Sequence, residues 1–199
     1  MIGIRPTNLP ETEMKYEILK DEYIEFDGRK LYRIKALKGF RSVKKGSVGG
    51  YIESEQNLSQ EGDAWVSGDA WVSGEARVSG DAWVSGEARV SGDAWVYGSA
   101  QVSGDAWVSG DARVSGEARV SGNNAVVWFS NVGTENGTLT VYCGKNGLIA
   151  TRGCFTGSVE EFLAKSAKVH DEKTKREYEL LIEVARSRLG EAQGNIGAE

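Results

Sequence analysis

Twelve valines recur at an unbroken spacing of six, from Val66 to Val132. Alanine stands two residues before each of the first ten, from Ala64 to Ala118, and glycine two residues after, from Gly68 to Gly122. The repeated unit is acidic, Ala, Trp or Arg, Val, Ser, Gly. A short period held this long is the mark of stacked coils. An α-helix is excluded, because six is not a multiple of 3.6 and glycine recurs too often. In a strand alternate side chains share a face. Ala64 and Val66 therefore point one way, and Trp65 and Ser67 the other. Gly68 and Asp69 supply the bend, glycine by its freedom at positive φ and aspartate by its tolerance of turn geometry. Three units make a triangular coil of eighteen residues, and twelve make four coils. At a strand spacing of roughly 4.8 Å the regular part is about 19 Å long. Its interior is a prism of Val and Ala too narrow for anything larger.

The flanks depart from this pattern. Glu22–Phe26 and Lys30–Ile34 read as strands joined by a strong turn signal, Asp27-Gly28. Ile52 and Leu58 are also six apart and begin an irregular first coil, with two extra residues at Ser59–Gly62. The expected organisation is an N-terminal β-hairpin cap over 1–51 and a repeat β-helix over 52–132. A C-terminal α/β cap of strands plus two helices follows over 133–190, and then a disordered tail over 191–199. Thr138–Tyr142 and Leu148–Thr151 are its strands. Ser158 and Glu161 form a capping box opening a helix with Val159, Phe162, Leu163 and Ala167 inward. A second helix over 172–189 presents Tyr178, Leu181, Ile182 and Ala185 on one face and stops at Gly190.

The residue before each valine points outward, and residues eighteen apart stack. One face carries Trp65, Trp83, Gln101 and Arg119, the second Trp71, Arg89 and Trp107, and the third Arg77, Trp95 and Arg113. Alternating Trp and Arg place guanidinium over indole, worth about 0.5–1 kcal/mol when exposed. Two readings stay open: the columns hold neighbouring coils together, or they form an interaction surface, since Trp and Arg dominate interface hot spots. The face with Trp65 and Trp83 is the preferred surface, with Tyr97 and Gln101 interrupting the repeat nearby. Acidic residues stack as well, Asp69, Glu87 and Asp105 in one column and Glu75, Asp93 and Asp111 in another. They read as corner residues, with no metal site expected. The formal net charge is −5, all of it within 63–122, where nine carboxylates face four arginines. That balance argues against direct nucleic-acid binding. No hydrophobic run is of spanning length and no signal peptide is visible, so a cytoplasmic protein without membrane attachment is expected.

Acyl transfer on such a scaffold would need a general base, most often a histidine, to deprotonate the acceptor. The one histidine here is His170, outside the repeats. Cys154 with His170 and Tyr178 is a secondary candidate site, Cys154 as nucleophile and His170 as base. Cys143 and Cys154 are expected as free thiols. No cofactor is indicated.

Three segments together carry a resemblance: Gly49–Glu55 with Asn57, Leu58 and Ser59; the Asp-Ala-Trp-Val and Glu-Ala-Arg-Val units; and Thr151–Gly157 followed by Glu161, Phe162, His170 and Tyr178. They resemble phage- and prophage-encoded hexapeptide-repeat proteins, and the repeats themselves resemble the left-handed parallel β-helix. The resemblance implies that handedness and a phage-type setting in the host cytoplasm, and supplies no catalytic residues. The expected function is non-enzymatic binding: an inhibitor of a host defence system that binds a host protein, signal molecule or nucleoprotein complex. A virion assembly protein and an acyltransferase-like enzyme are the alternatives. A homo-oligomer, trimer or dimer, is expected from the number of outward indoles.

Overall fold

The computed structural model describes residues 13–122 and 125–190. The tail expected over 191–199 lies outside them, as do residues 1–12 of the N-terminal segment. Strands β1 (Tyr16–Phe26) and β2 (Arg29–Ala36) form the expected hairpin. Asp27 and Gly28 both hold positive φ, 50° and 72°, the geometry whose twist suits a two-residue hairpin. Strand β3 (Val48–Ile52) pairs antiparallel with β2 and parallel with a strand of the first full coil. The hairpin and one solenoid face are thus a single sheet.

From there a short strand forms every six residues: β4 (Trp65–Val66), β5 (Trp71–Val72), β6 (Arg77–Val78) and β7 (Trp83–Val84). The series continues through β8 (Arg89–Val90), β9 (Trp95–Val96) and β10 (Gln101–Ser103). It closes with β11 (Trp107–Val108), β12 (Arg113–Val114) and β13 (Arg119–Ser121). Parallel pairing joins residues eighteen apart, such as Val66 with Val84 and Val84 with Val102. The three faces are β1-β2-β3-β5-β8-β11, β4-β7-β10-β13 and β6-β9-β12. The fold is a β-solenoid of about four turns, with every repeat Ala and Val of 64–120 buried inside it. Ile52 pairs with Val72 and Leu58 bridges to Val78, each twenty residues on, so the two extra residues lie between Leu58 and Val66. They have a structural use. Gln60 turns inward, accepts from the Lys15 and Tyr16 amides at 2.8 and 3.3 Å, and donates to the Tyr16 carbonyl at 3.2 Å.

Backbone groups at each end of the stack have no neighbouring coil, and buried ones must still be bonded. At the first coil the Lys15 ammonium donates to the Ala64 carbonyl (2.8 Å) and the Gly62 carbonyl (3.3 Å), and the Tyr16 hydroxyl donates to the Leu58 carbonyl (2.7 Å). Asn57 Nδ2 donates to the carbonyls of Gly74 and Ala76, both at 2.9 Å. At the last coil the Arg113 and Ser115 amides donate to the hydroxyls of Thr140 (3.0 Å) and Tyr142 (3.2 Å). Thr151 donates back to the Arg113 carbonyl at 2.7 Å.

Those hydroxyls belong to an antiparallel sheet of β14 (Val126–Val132), β15 (Gly137–Gly144), β16 (Gly147–Arg152) and β17 (Phe155–Ser158). Coil pairing therefore ends at Ser121, before the valine spacing does. Val126 still packs in the core that fills the solenoid, whereas Val132 belongs to a second core. The spacing outlasts the coils because Val126 plugs the open prism after the backbone has turned away. Helices α1 (Val159–Val169) and α2 (Glu172–Leu189) cover the second core. The capping box is present: Ser158 Oγ accepts from the Glu161 amide and Glu161 Oε2 from the Ser158 amide. Helix α1 buries Val159, Phe162 and Ser166, while Ala167, expected inward, is exposed. The buried stripe steps four residues from Phe162 to Ser166 and leaves position 167 on the solvent side.

Candidate interaction surface

The outward columns exist in the expected register: Trp65 over Trp83, Gln101 and Arg119; Trp71 over Arg89 and Trp107; Arg77 over Trp95 and Arg113. Their exposure differs from the expectation. Trp65, placed in the preferred surface, is 2% exposed. Its ring meets Tyr16 edge-on at 6.5 Å and Phe40 at 5.4 Å. A Cβ on Gly49 would stand 2.6 Å from the Val66 carbonyl oxygen and 2.7 Å from the Trp65 ring, so β3 closes over this indole with no room to spare. Trp71 is 7% exposed beneath Phe26, 4.8 Å away, and Trp83 is half-buried against the solenoid core. The hairpin and the loop after it cover the indoles of the early coils. Trp65 and Trp71 are thus corrected from surface to core, and the Trp65–Trp83 patch is not an open face.

The open indoles lie further along. Trp95 is 39% exposed and packs on Tyr97 at 5.2 Å, with the Arg113 guanidinium 5.9 Å from its ring. Trp107 is 52% exposed, and its Nε1 donates to Ser91 Oγ at 3.4 Å. The Arg89 guanidinium lies 5.9 Å from both Trp71 and Phe26. Arg119 donates to Gln101 Oε1 at 3.4 Å, and both side chains are exposed. The alternating columns thus do hold coils together through cation–π contacts at two places, Arg89 on Trp71 and Arg113 on Trp95.

Two features escaped sequence reasoning. One is a groove of about 580 Å³ lined by Trp107, Ser109, Val126, Val127, Trp128, Arg188 and Leu189. Trp128 stands eighteen residues after Gly110, in the register of a corner glycine, and its indole rests on Gly110. A tryptophan in a glycine position was the available signal. The other is Lys15, which has no exposed surface and borders a second groove with Glu13, Lys38, Phe40, Gln60, Glu61 and Asp63. Burial lowers its ammonium pKa to about 8, Asp63 opposing the shift and Lys38 adding to it.

The stacked carboxylates are partly paired: Asp69 with Arg33 at 3.1 Å, Glu75 with Gln56 at 3.5 Å, and Asp111 with Thr138 at 3.5 Å. Among the described residues no group of three His, Cys, Asp or Glu side chains could hold a metal ion. Both cysteines are free. Burial pushes the Cys143 thiol pKa up, and Cys154 is exposed in the turn between β16 and β17. His170 caps α1 and its ring lies 5.5 Å from that of Tyr178, which is itself buried against Phe162 at 5.0 Å. Packing brings His170 and Tyr178 together, and among the described residues no hydrogen bond joins Cys154 to His170. No described helix is long and apolar enough to cross a membrane.

The family model for the YdcK beta solenoid repeat matches residues 88–104 and 100–116, within the regular coils. Comparison with curated proteins gives no match.

Proposed function

We propose that this β-solenoid is a non-enzymatic binding protein of phage type, which inhibits a host defence system by docking on a host protein or nucleoprotein complex. The observation that carries the reading is the pair of open indoles, Trp95 and Trp107, on a scaffold whose inward positions are filled by Val and Ala. Large aromatic side chains held on a rigid surface lose little entropy on binding and are what a partner covers with most gain. The position of His170, outside the coils and packed on Tyr178, favours binding over acyl transfer. The winding is left-handed, with the six-residue unit as its structural repeat, in keeping with the hexapeptide-repeat resemblance. The N-terminal hairpin and the C-terminal sheet and helices act as its caps, since an open sheet edge invites association. The protein works in the host cytoplasm, and self-association as a dimer or trimer buries part of the open aromatic surface.

The test is quantitative capture from bacterial lysate with the wild type and a Trp95→Ala/Trp107→Ala double variant. The expected result is one dominant partner with the wild type and its loss with the variant, at unchanged circular dichroism. Equal capture by both proteins sinks this assignment of the surface. Light scattering at 21.6 kDa, the monomer mass, at high concentration removes the self-association proposal.

A further inference from the structure

The groove beside Trp107 exists because the solenoid stops unevenly. On the face of β6-β9-β12 the last strand is met by hydroxyls of the C-terminal sheet. On the face of β5-β8-β11 the last strand has no following strand, since the chain enters β14 and pairs with β15 instead. The unfilled space is lined by two indoles, Trp107 and Trp128, together with Ser109. Trp107 is on β11, and the Trp128 Nε1 lies 3.1 Å from where a Cβ on Gly110 would stand. The last turn of α2 closes the groove with buried Leu189 and exposed Arg188. Arg186 is committed to Glu160 at 2.9 Å, whereas Arg188 makes no ion pair among the described residues.

We propose that this groove binds a free mononucleotide, its base laid against Trp107 and Trp128 and its phosphate held by Arg188. The inference rests on reading the chain as a binding protein and names the ligand of one surface. Indole faces accept any base by stacking. A guanidinium matches phosphate in charge and in its forked geometry. The volume, about 580 Å³, lies in the range of small-molecule sites. A single phosphate fits better than a nucleic-acid strand, because the coils over 63–122 carry −5. An extended phosphate backbone along them would be repelled.

The experiment is titration of the full chain with AMP and GMP, followed by tryptophan fluorescence and calorimetry. Saturable binding is expected below about 1 mM. Guanosine, lacking the phosphate, should bind about ten-fold more weakly. Arg188→Gln should weaken GMP about ten-fold and leave guanosine unchanged, and Trp107→Ala should weaken both about ten-fold. Trp95→Ala, outside the groove, should alter neither. The inference is overturned by absence of saturable binding of both AMP and GMP, or by binding that survives Trp107→Ala and Arg188→Gln. Tighter, steeply salt-dependent binding of a single-stranded oligonucleotide overturns it in favour of a nucleic-acid surface. A protein partner captured equally by wild type and Trp107→Ala, with no nucleotide bound, sinks the groove assignment and leaves the broader binding function standing.

Discussion

Burial of Lys15 makes the stability of the whole protein depend on pH in an unusual direction. Its ammonium is fully enclosed, bonded to the Ala64 and Gly62 carbonyls and 5.4 Å from the Phe40 ring. Burial lowers its pKa from 10.5 to about 8. Between those values the unfolded chain holds the proton and the folded chain has released it. The unfolded state therefore binds more protons, and stability rises with pH across this window. From about pH 7.5 to pH 9 the gain integrates to about 1 kcal/mol. Three other groups act in the opposite sense at higher pH. Burial raises the Tyr16 and Tyr142 phenols and the Cys143 thiol. Their contributions are fully present below the unfolded values, 10.0 for the phenols and 9.0 for the thiol, and are lost as pH rises above them. The rise is therefore read up to pH 9, and stability turns down beyond about pH 10. Urea unfolding at a series of pH values is the assay, with a midpoint increase of about 0.5 M expected for a slope near 2 kcal/mol/M. Lys15→Met should abolish the increase. Its midpoint at neutral pH is the poorer readout, because losing the buried charge and losing two carbonyl partners have opposite signs. A flat wild-type profile between pH 7.5 and 9, or an undiminished rise in Lys15→Met, would refute the assignment of this proton to Lys15.

Other substitutions separate core from surface. Trp65→Ala should cost about 3–5 kcal/mol, as for any fully buried tryptophan, whereas Trp107→Ala should stay within about 0.5 kcal/mol; urea midpoints distinguish them. Val84→Ala should cost roughly 2–3 kcal/mol in the same assay, since the prism has nothing with which to fill the space. Gly86→Ala should destabilise by about 1–2 kcal/mol or more, because φ is +71° and the new Cβ would meet the Gly104 carbonyl oxygen at 2.9 Å. An unchanged melting temperature for Gly86→Ala would show that the corner can relax.

The six-residue valine spacing determined the coil, its inward Val and Ala and the stacking of residues eighteen apart, because a periodic backbone maps position directly onto face. The two-residue insertion before Val66, the Asp27-Gly28 turn and the Ser158–Glu161 capping box were legible for the same local reason: each depends on residues close in sequence. Exposure was not legible. Trp65 and Trp107 occupy equivalent places in the repeat, yet one lies under Tyr16, Phe40 and Gly49 and the other faces solvent. Nothing local distinguishes them, since the difference is made by a hairpin tens of residues away. The end of the coils was hidden similarly, because Val126 keeps the spacing to plug the prism while its strand pairs elsewhere. The groove between Trp107, Trp128 and Arg188 joins three separate elements, so only the tertiary packing of α2 and β14 against the last coil could create it.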